Sequence, residues 1–312
     1  MKPASLLICL ASLGACSPLA SKDDTKSELL AAASRPLQVI LIPADGGTED
    51  GTKADFRPIF DALSTTSGLQ FELRVGQSYN AVVEALCSGS ADIAFMGPAS
   101  YIQARDRNCA DLLAIGVEGG KSEYYAGLFS RRADGLKTIE DIKGKTVAFG
   151  DVNSASSFIV PIAMLINAKV DPITDLSGIR LVGNHSNAIA ALNQGQVDVA
   201  ALSLVSFDKA VNQGIVDPAN ITLIARSAAL PNPPIVMRRS LNAAVKAKMK
   251  VAFNALPTAP GVTPDMIIGY GGKRVDRYAT EIKPDSFDAM ATMMAQVGPE
   301  LKANVLNKAS KP

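Results

Sequence analysis

The feature that most constrains this chain is an internal repeat. The segment SYNAVVEALCSGSADIA at residues 78–94 aligns without gaps with NHSNAIAALNQGQVDVA at residues 184–200. Gly195 and Asp198 of the second copy stand where the first copy also has Gly and Asp. Each copy predicts a helix, a Gly turn and a buried strand. A chance match between two short segments is the alternative, but a true repeat predicts two similar α/β halves.

Strands and helices alternate along most of the chain. Apolar runs of strand length are followed by residues at helical spacing, which predicts βαβ units and a largely parallel sheet. Pro231, Pro233 and Pro234 interrupt this alternation and predict an extended segment that returns to the first half. The predicted strands are at residues 37–42, 69–75, 92–96, 112–117, 124–129, 146–149, 178–182, 197–201 and 221–225.

The N-terminus predicts a secretory leader and a lipid anchor. Lys2 precedes an apolar run that ends in Leu-Gly-Ala-Cys, which resembles the lipobox of bacterial lipoproteins. We expect residues 1–15 to be a signal peptide, Cys16 to carry the lipid and residues 16–35 to form a flexible tether. The protein would then lie in the periplasm or cell envelope, attached to a membrane. A soluble secreted protein that is cut nearby is the alternative.

The length predicts two lobes, because 312 − 15 = 297 residues are more than one hydrophobic core usually serves. We expect residues 36–128 and 228–312 to form lobe 1, and residues 129–227 to form lobe 2. A hydrophobic content of 47% without a further long apolar run predicts a globular body. The net charge of +1 gives no support for nucleic-acid binding.

Two cysteines belong to the predicted globular body. Cys87 and Cys109 either form a disulfide in an oxidising compartment or remain two buried thiols, and we favour the disulfide. His185 is the only histidine, so a histidine-based zinc site or a Ser-His-acid triad would lack parts. We therefore expect no metal, no cofactor and no catalysis.

The segment KTVAFGDVNSASSFIVP at residues 145–161 looks most like a site. An apolar strand runs into a hydroxyl-rich turn, and the turn opens a helix. The serines fit a capped helix start, because their side chains accept hydrogen bonds from free backbone amides. The alternative is an anion site, since free amides, hydroxyls and the positive end of a helix dipole together hold phosphate-like groups.

Tyr79 and His185 occupy equivalent helix starts in the two copies of the repeat. Each residue alone is more often a packing, capping or surface residue. If the lobes face each other, however, a phenol and an imidazole meet the Ser-rich turn in one crevice, where α/β proteins usually bind ligands. Hydroxyls, amides and a protonated imidazole all donate to phosphate oxygens. The sequence therefore predicts an oxyanion site between the lobes.

These segments, in this order and spacing, resemble the phosphate/phosphonate/phosphite-binding proteins of bacterial ABC transporters. The resemblance rests on SYNAVVEALCSGSADIAFMGPASY, DVNSASSFIVP and the second copy of the repeat, and it covers nearly the whole predicted body. It implies the α/β, two-lobed type II periplasmic-binding-protein fold, in which two crossover strands join lobes that each contain a mixed, mainly parallel sheet flanked by helices. It also implies a monomer that closes on a tetrahedral oxyanion and passes it to a membrane permease.

The resemblance also implies ligand-binding roles for particular residues. Tyr79 and Tyr124 match two tyrosines of the family, and His185 matches its oxyanion-binding histidine. Ser154 and Ser156 match the serines of the family's Ser-Thr-Ser-Gly turn.

Departures from the family pattern bear on the ligand. Ala155 and Ser157 replace the usual Thr and Gly, so the turn keeps the amide of residue 155 but lacks its hydroxyl. Val205 and Pro233 stand where aminoalkylphosphonate binders have carboxylates. We therefore expect phosphite, phosphate or a small alkylphosphonate such as methylphosphonate, and not 2-aminoethylphosphonate.

Two other functions fit part of the sequence. An oxyanion sensor, for example for an arsenical, would dock to a histidine-kinase ectodomain and use Cys87 or Cys109 as a soft ligand, and a disulfide between them would argue against it. An envelope hydrolase is disfavoured, because the sequence shows no Ser/His/acid set and no metal cluster.

Overall fold

A computed structural model describes residues 35–45 and 48–310. The predicted signal peptide, Cys16 and nearly all of the predicted tether lie outside these residues. The strands are β1 (Leu37–Leu41), β2 (Phe71–Val75), β3 (Ile93–Phe95), β4 (Ala110–Val117), β5 (Glu123–Tyr124), β6 (Ala126–Arg131), β7 (Thr146–Phe149), β8 (Gly178–Leu181), β9 (Val199–Ser203), β10 (Ile221–Arg226), β11 (Leu230–Pro231), β12 (Pro234–Arg238) and β13 (Arg277–Ala279). The α-helices are α1 (Glu49–Ser67), α2 (Tyr79–Ser88), α3 (Pro98–Asp106), α4 (Val160–Asn167), α5 (His185–Asn193), α6 (Leu204–Asn212), α7 (Ala243–Ala255), α8 (Asp288–Val297) and α9 (Pro299–Ala309).

Each lobe is built on one sheet. The first has six strands in the order β13-β4-β12-β3-β1-β2, and the second has five in the order β10-β6-β9-β7-β8. β1 and β7 each pair in parallel with both neighbours, whereas the other strand pairs are antiparallel. The α/β fold with mixed, mainly parallel sheets is confirmed. In the first sheet β1, β2, β3 and β4 run in one direction, and in the second sheet β7, β8, β9 and β10 do. β12 returns from the second lobe and inserts between β3 and β4 in the opposite direction.

Two short strands join the lobes. The chain leaves the first sheet through β5 and returns through β11, and these strands pair antiparallel with Tyr124 opposite Leu230. This ribbon confirms the predicted pair of crossover strands. It also places Tyr124 at the hinge between the sheets.

The last helix, α9, packs against the second lobe, although the sequence assigned it to lobe 1. Lys308 of α9 donates to the backbone carbonyls of Ile173 and Leu176 at 2.6 and 2.7 Å. The C-terminal helices therefore connect the lobes at a place separate from the hinge ribbon.

The internal repeat folds as two equivalent units. Asp92 and Asp198 each follow the helix of their copy and accept a hydrogen bond from a backbone amide of their own sheet. The amide donors are Gln38 in β1, at 3.0 Å, and Thr146 in β7, at 2.8 Å. Each aspartate thus fixes its copy of the repeat to the strand that leads into the cleft.

A disulfide joins Cys87, near the end of α2, to Cys109, just before β4. The favoured pairing of the two cysteines is therefore present in the structure, and it argues against either thiol as a soft ligand for an arsenical. No helix in the described part of the chain is both long enough and apolar enough to cross a membrane.

Candidate oxyanion site between the lobes

The Ser-rich turn after β7 starts with a π-helical turn, Ala155–Ile159, that continues directly into α4. Ser154 caps this segment, because its hydroxyl accepts a hydrogen bond from the Ser157 amide at 3.2 Å. The amides of Ala155 and Ser156 come first in the helical segment and so have no partner within it. The turn is therefore a capped helix start, and it also leaves two free amides of the kind that can hold an anion.

Ser157 lies at the base of the turn. Its hydroxyl is fully buried and has no hydrogen-bond partner within the described residues. A Cβ atom at Gly150 would collide with this hydroxyl, so the turn can approach the end of β7 only because residue 150 is glycine. Of the predicted site residues in this turn, Ser157 is thus the one that packs against the strand.

Tyr79 and Tyr124 approach the turn from the first lobe and the hinge. The Tyr79 side chain is 2% exposed and that of Tyr124 is 3% exposed. Burial raises the pKa of both phenols, and the negative charge of Asp45 adds to the rise. The nearby side chain of Ser154 opposes the rise for Tyr79, and that of Ser156 opposes it for Tyr124. Both phenols are therefore neutral donors next to the turn.

His185 is the first residue of α5 and is 1% exposed. Its Nδ1 accepts a hydrogen bond from the Ser203 amide at 3.3 Å, so the proton of the neutral ring lies on Nε2. Burial lowers the pKa of the imidazole, and Asp45 acts in the opposite direction. The buried site therefore favours the neutral imidazole, which donates through Nε2.

Hydrogen bonds close the cleft around these residues. The His185 amide donates to the Ala44 carbonyl of the first lobe at 3.2 Å. The Tyr79 amide donates to Oδ2 of Asp151 in the second lobe at 3.1 Å. The structure therefore brings the predicted residues of both lobes together in a closed arrangement.

Two residues that the sequence analysis did not single out belong to the same cluster. The Tyr270 hydroxyl shares hydrogen bonds with Ser203 and Ser206 at 3.1 and 2.9 Å, and its ring meets that of Tyr124 edge-on. Asp45 lies in the loop after β1 and is 8% exposed. The position of Asp45 is the signal that finds it, because ligands of open α/β sheets bind beyond the carboxyl ends of the strands.

The phenols and the imidazole that meet in the cleft are neutral hydrogen-bond donors. Lys209 of α6 lies nearby, but it forms a salt bridge with Asp55 of α1 on the opposite lobe. Within residues 35–45 and 48–310, no group of three or more His, Cys, Asp or Glu side chains is arranged to hold a metal ion. The arrangement is suited to hydrogen bonding of a small, enclosed oxyanion.

The chain matches the family of phosphonate periplasmic substrate-binding proteins of ABC transporters over residues 47–266, and it belongs to this family. It is 30% identical over 205 residues to the phosphate-import protein PhnD of Mycolicibacterium smegmatis, covering 62% of each chain. It is 25% identical over 207 residues to the phosphonates-binding periplasmic protein of Escherichia coli, covering 65% of this chain and 61% of that protein. The chain thus spans about three fifths of the length of these relatives.

A solved structure shares the fold over a longer stretch. PhnD1 from Prochlorococcus marinus, determined in complex with methylphosphonate, superimposes with a TM-score of 0.71 at 18% identity. The superposition covers 84% of this chain and 97% of that one. The two-lobed fold implied by the resemblance is therefore confirmed.

Proposed function

We propose that this protein is the solute-binding component of an ABC importer and that it captures a small phosphorus oxyanion between its lobes. The observation that carries the proposal is the convergence of neutral donors from two lobes and a hinge: Tyr79 and Tyr124 face the turn at residues 154–157, and His185 joins them. Phosphate-like oxygens accept such hydrogen bonds, and burial strengthens them. The protein acts as a monomer without catalysis and delivers the ligand to a membrane permease.

Closure is the mechanism of capture. The lobes rotate about the ribbon of β5 and β11, and a ligand that contacts both lobes stabilises only the closed state. Tyr79 and Tyr124 then contact the ligand from one side, while the amides of Ala155 and Ser156 and the Nε2 proton of His185 contact it from the other. The permease receives the ligand when the lobes part again.

The proposed ligands are phosphite, phosphate and small alkylphosphonates such as methylphosphonate. Val205, which is half-buried, and Pro233, which is buried, leave apolar side chains at the positions where aminoalkylphosphonate binders have carboxylates. The names of the similar proteins, which concern phosphate, phosphonates and methylphosphonate, support the same chemical class.

Calorimetry with phosphate, phosphite, methylphosphonate and 2-aminoethylphosphonate tests the proposal directly. We expect tight binding of at least one of the first three ligands and weak binding of the amine. Tight binding of the amine alone would contradict the ligand assignment. Neighbouring permease and ATPase genes would support transport, whereas a neighbouring histidine-kinase gene would favour a sensor that uses the same site.

Lipid anchoring through Cys16 rests on the Leu-Gly-Ala-Cys motif. We expect the wild-type protein to fractionate with membranes and a Cys16→Ser variant to lose this association. Mass spectrometry of the N-terminal peptide would identify the lipid, and an unmodified Cys16 in the processed protein would rule the anchor out.

A further inference from the structure

The loop after β1 carries a buried carboxylate without a partner. Asp45 is 8% exposed, and neither of its side-chain oxygens has a hydrogen-bond partner among residues 35–45 and 48–310. The loop itself is held by its backbone, because the Asp45 carbonyl accepts a hydrogen bond from the Ser186 hydroxyl of the second lobe at 3.2 Å. A buried carboxylate in this state is costly, so its presence in the closed cleft points to a group that arrives with the ligand.

The titratable groups that face Asp45 come from several elements. Only one of them, Lys209, is a cation, and it is already paired with Asp55. The phenols and the imidazole are neutral, for the reasons of burial given above. These groups are Tyr79 of α2, Tyr124 of β5, His185 of α5, Lys209 of α6, and Tyr270.

We propose that Asp45 accepts a hydrogen bond from a protonated oxygen of the bound ligand, a P–OH group. This inference rests on the proposed oxyanion function and adds a specificity-determining residue to it. The neutral donors of the cleft bind the unprotonated oxygens. An unprotonated oxygen placed against Asp45 would instead meet a like charge with no proton between them. The site would therefore reject sulfate, which has the same shape as phosphate but carries no proton near neutral pH.

The same contact should make the affinities for phosphate and methylphosphonate respond differently to a rise in pH. Phosphate with two negative charges still carries one P–OH group, whereas methylphosphonate with two charges carries none. Between about pH 7 and about pH 9 the protein donors stay neutral, because burial raises the phenol pKa values and lowers the imidazole pKa. The affinity for methylphosphonate should therefore fall over this range much more than the affinity for phosphate.

Calorimetry of the mature protein with phosphate, methylphosphonate and sulfate, at about pH 7 and at about pH 9, tests the inference. We expect the wild-type protein to bind phosphate at both pH values and not to bind sulfate. Its affinity for methylphosphonate should fall about tenfold at the higher pH. Asp45→Asn should weaken phosphate binding by about tenfold, flatten the pH dependence for methylphosphonate and allow sulfate to bind, because the Asn amide donates a hydrogen bond. Asp61→Asn, which removes the same charge from an exposed position on α1, should behave like the wild type.

The outcomes separate the inference from the proposed function. If wild-type protein bound sulfate as tightly as phosphate, or if a folded Asp45→Asn variant matched the wild type with every ligand, the role of Asp45 would be overturned while the oxyanion function stood. A strong preference for 2-aminoethylphosphonate that disappears in Asp45→Asn would show that the carboxylate pairs with an ammonium group instead. Failure of the wild type to bind any phosphorus oxyanion would overturn both proposals. The sulfate and pH comparisons on wild-type protein decide the matter even if the variant does not fold.

Discussion

The two lobes contain the same structural unit, yet the loops of these units carry opposite chemistry. β1 and β7 each lie between two parallel neighbours, and each leads into a loop and a helix at the cleft. The loop after β7 offers serine hydroxyls and backbone amides, whereas the loop after β1 offers the unpaired carboxylate of Asp45. Equivalent places in a repeated fold can therefore supply donors in one lobe and an acceptor in the other.

Placing a carboxylate in the loop after β7, as in the loop after β1, should give the largest loss of ligand affinity. Ser156→Asp puts a carboxylate into the turn, and we expect the affinity for phosphorus oxyanions to fall about a thousandfold through like-charge repulsion. Calorimetry measures the loss, and a melting curve confirms that the variant folds. Ser286→Asp adds the same charge at an exposed serine and should leave the affinity unchanged. Tight binding by Ser156→Asp would place the oxyanion elsewhere.

The first lobe also contains the disulfide between Cys87 and Cys109, which are 22 residues apart in sequence. Cys87 lies at the opposite end of α2 from Tyr79. Replacing both Cys87 and Cys109 by Ala should lower the free energy of unfolding by about 3 kcal/mol, because the cross-link restricts the unfolded chain. Urea denaturation measures this change, and ligand affinity should stay close to that of the wild type. An unchanged denaturation midpoint would show that the cross-link contributes little to the stability of this lobe.

The equivalent helix starts of the repeat offer a paired test. His185→Ala and Tyr79→Phe each remove one donor, and we expect affinity losses of about tenfold or more for His185→Ala and about tenfold for Tyr79→Phe. His185→Gln keeps an acceptor for the Ser203 amide and a donor for the ligand, so it should lose less. An unchanged dissociation constant for His185→Ala would remove His185 from the site.

The smallest expected effect concerns stability in acid. Burial lowers the pKa of His185 in the folded protein, so the unfolded chain takes up this proton more readily. The stabilisation is fully present above the ordinary histidine pKa of about 6.5 and is lost as the pH falls from there towards the folded value. Tm should therefore decrease between about pH 7 and about pH 5, and the decrease should be shallower in His185→Gln. Equal slopes in the two proteins would contradict the assignment of a neutral buried imidazole.

Much of the fold was predictable because local signals agree with it. The helix that the first copy of the repeat predicts is present at Tyr79–Ser88, since Ser78 caps its start and Gly89 ends it with a φ of 81°. The helical stretch near the C-terminus is divided for a similarly local reason. Gly298 takes a φ of 56° and separates α8 from α9.

The site was only partly predictable, because its remaining features depend on tertiary contacts. The serines, Tyr79 and His185 stand in motifs that can be found from sequence. Asp45 could be found only from its place after β1, and no local pattern marks Tyr270, which reaches the cleft from a distant part of the chain. The neutral state of His185 likewise follows from burial and from the Ser203 amide, which the sequence around it does not reveal.

The reciprocal amide bonds across the cleft, from His185 to Ala44 and from Tyr79 to Asp151, have a kinetic consequence. A ligand enters only after both bonds break, so the observed rate of association should rise with ligand concentration and then reach a plateau at the opening rate. Once the plateau is reached, a higher ligand concentration no longer increases the rate of binding. Under the proposed function, uptake would then depend on the number of copies of the protein.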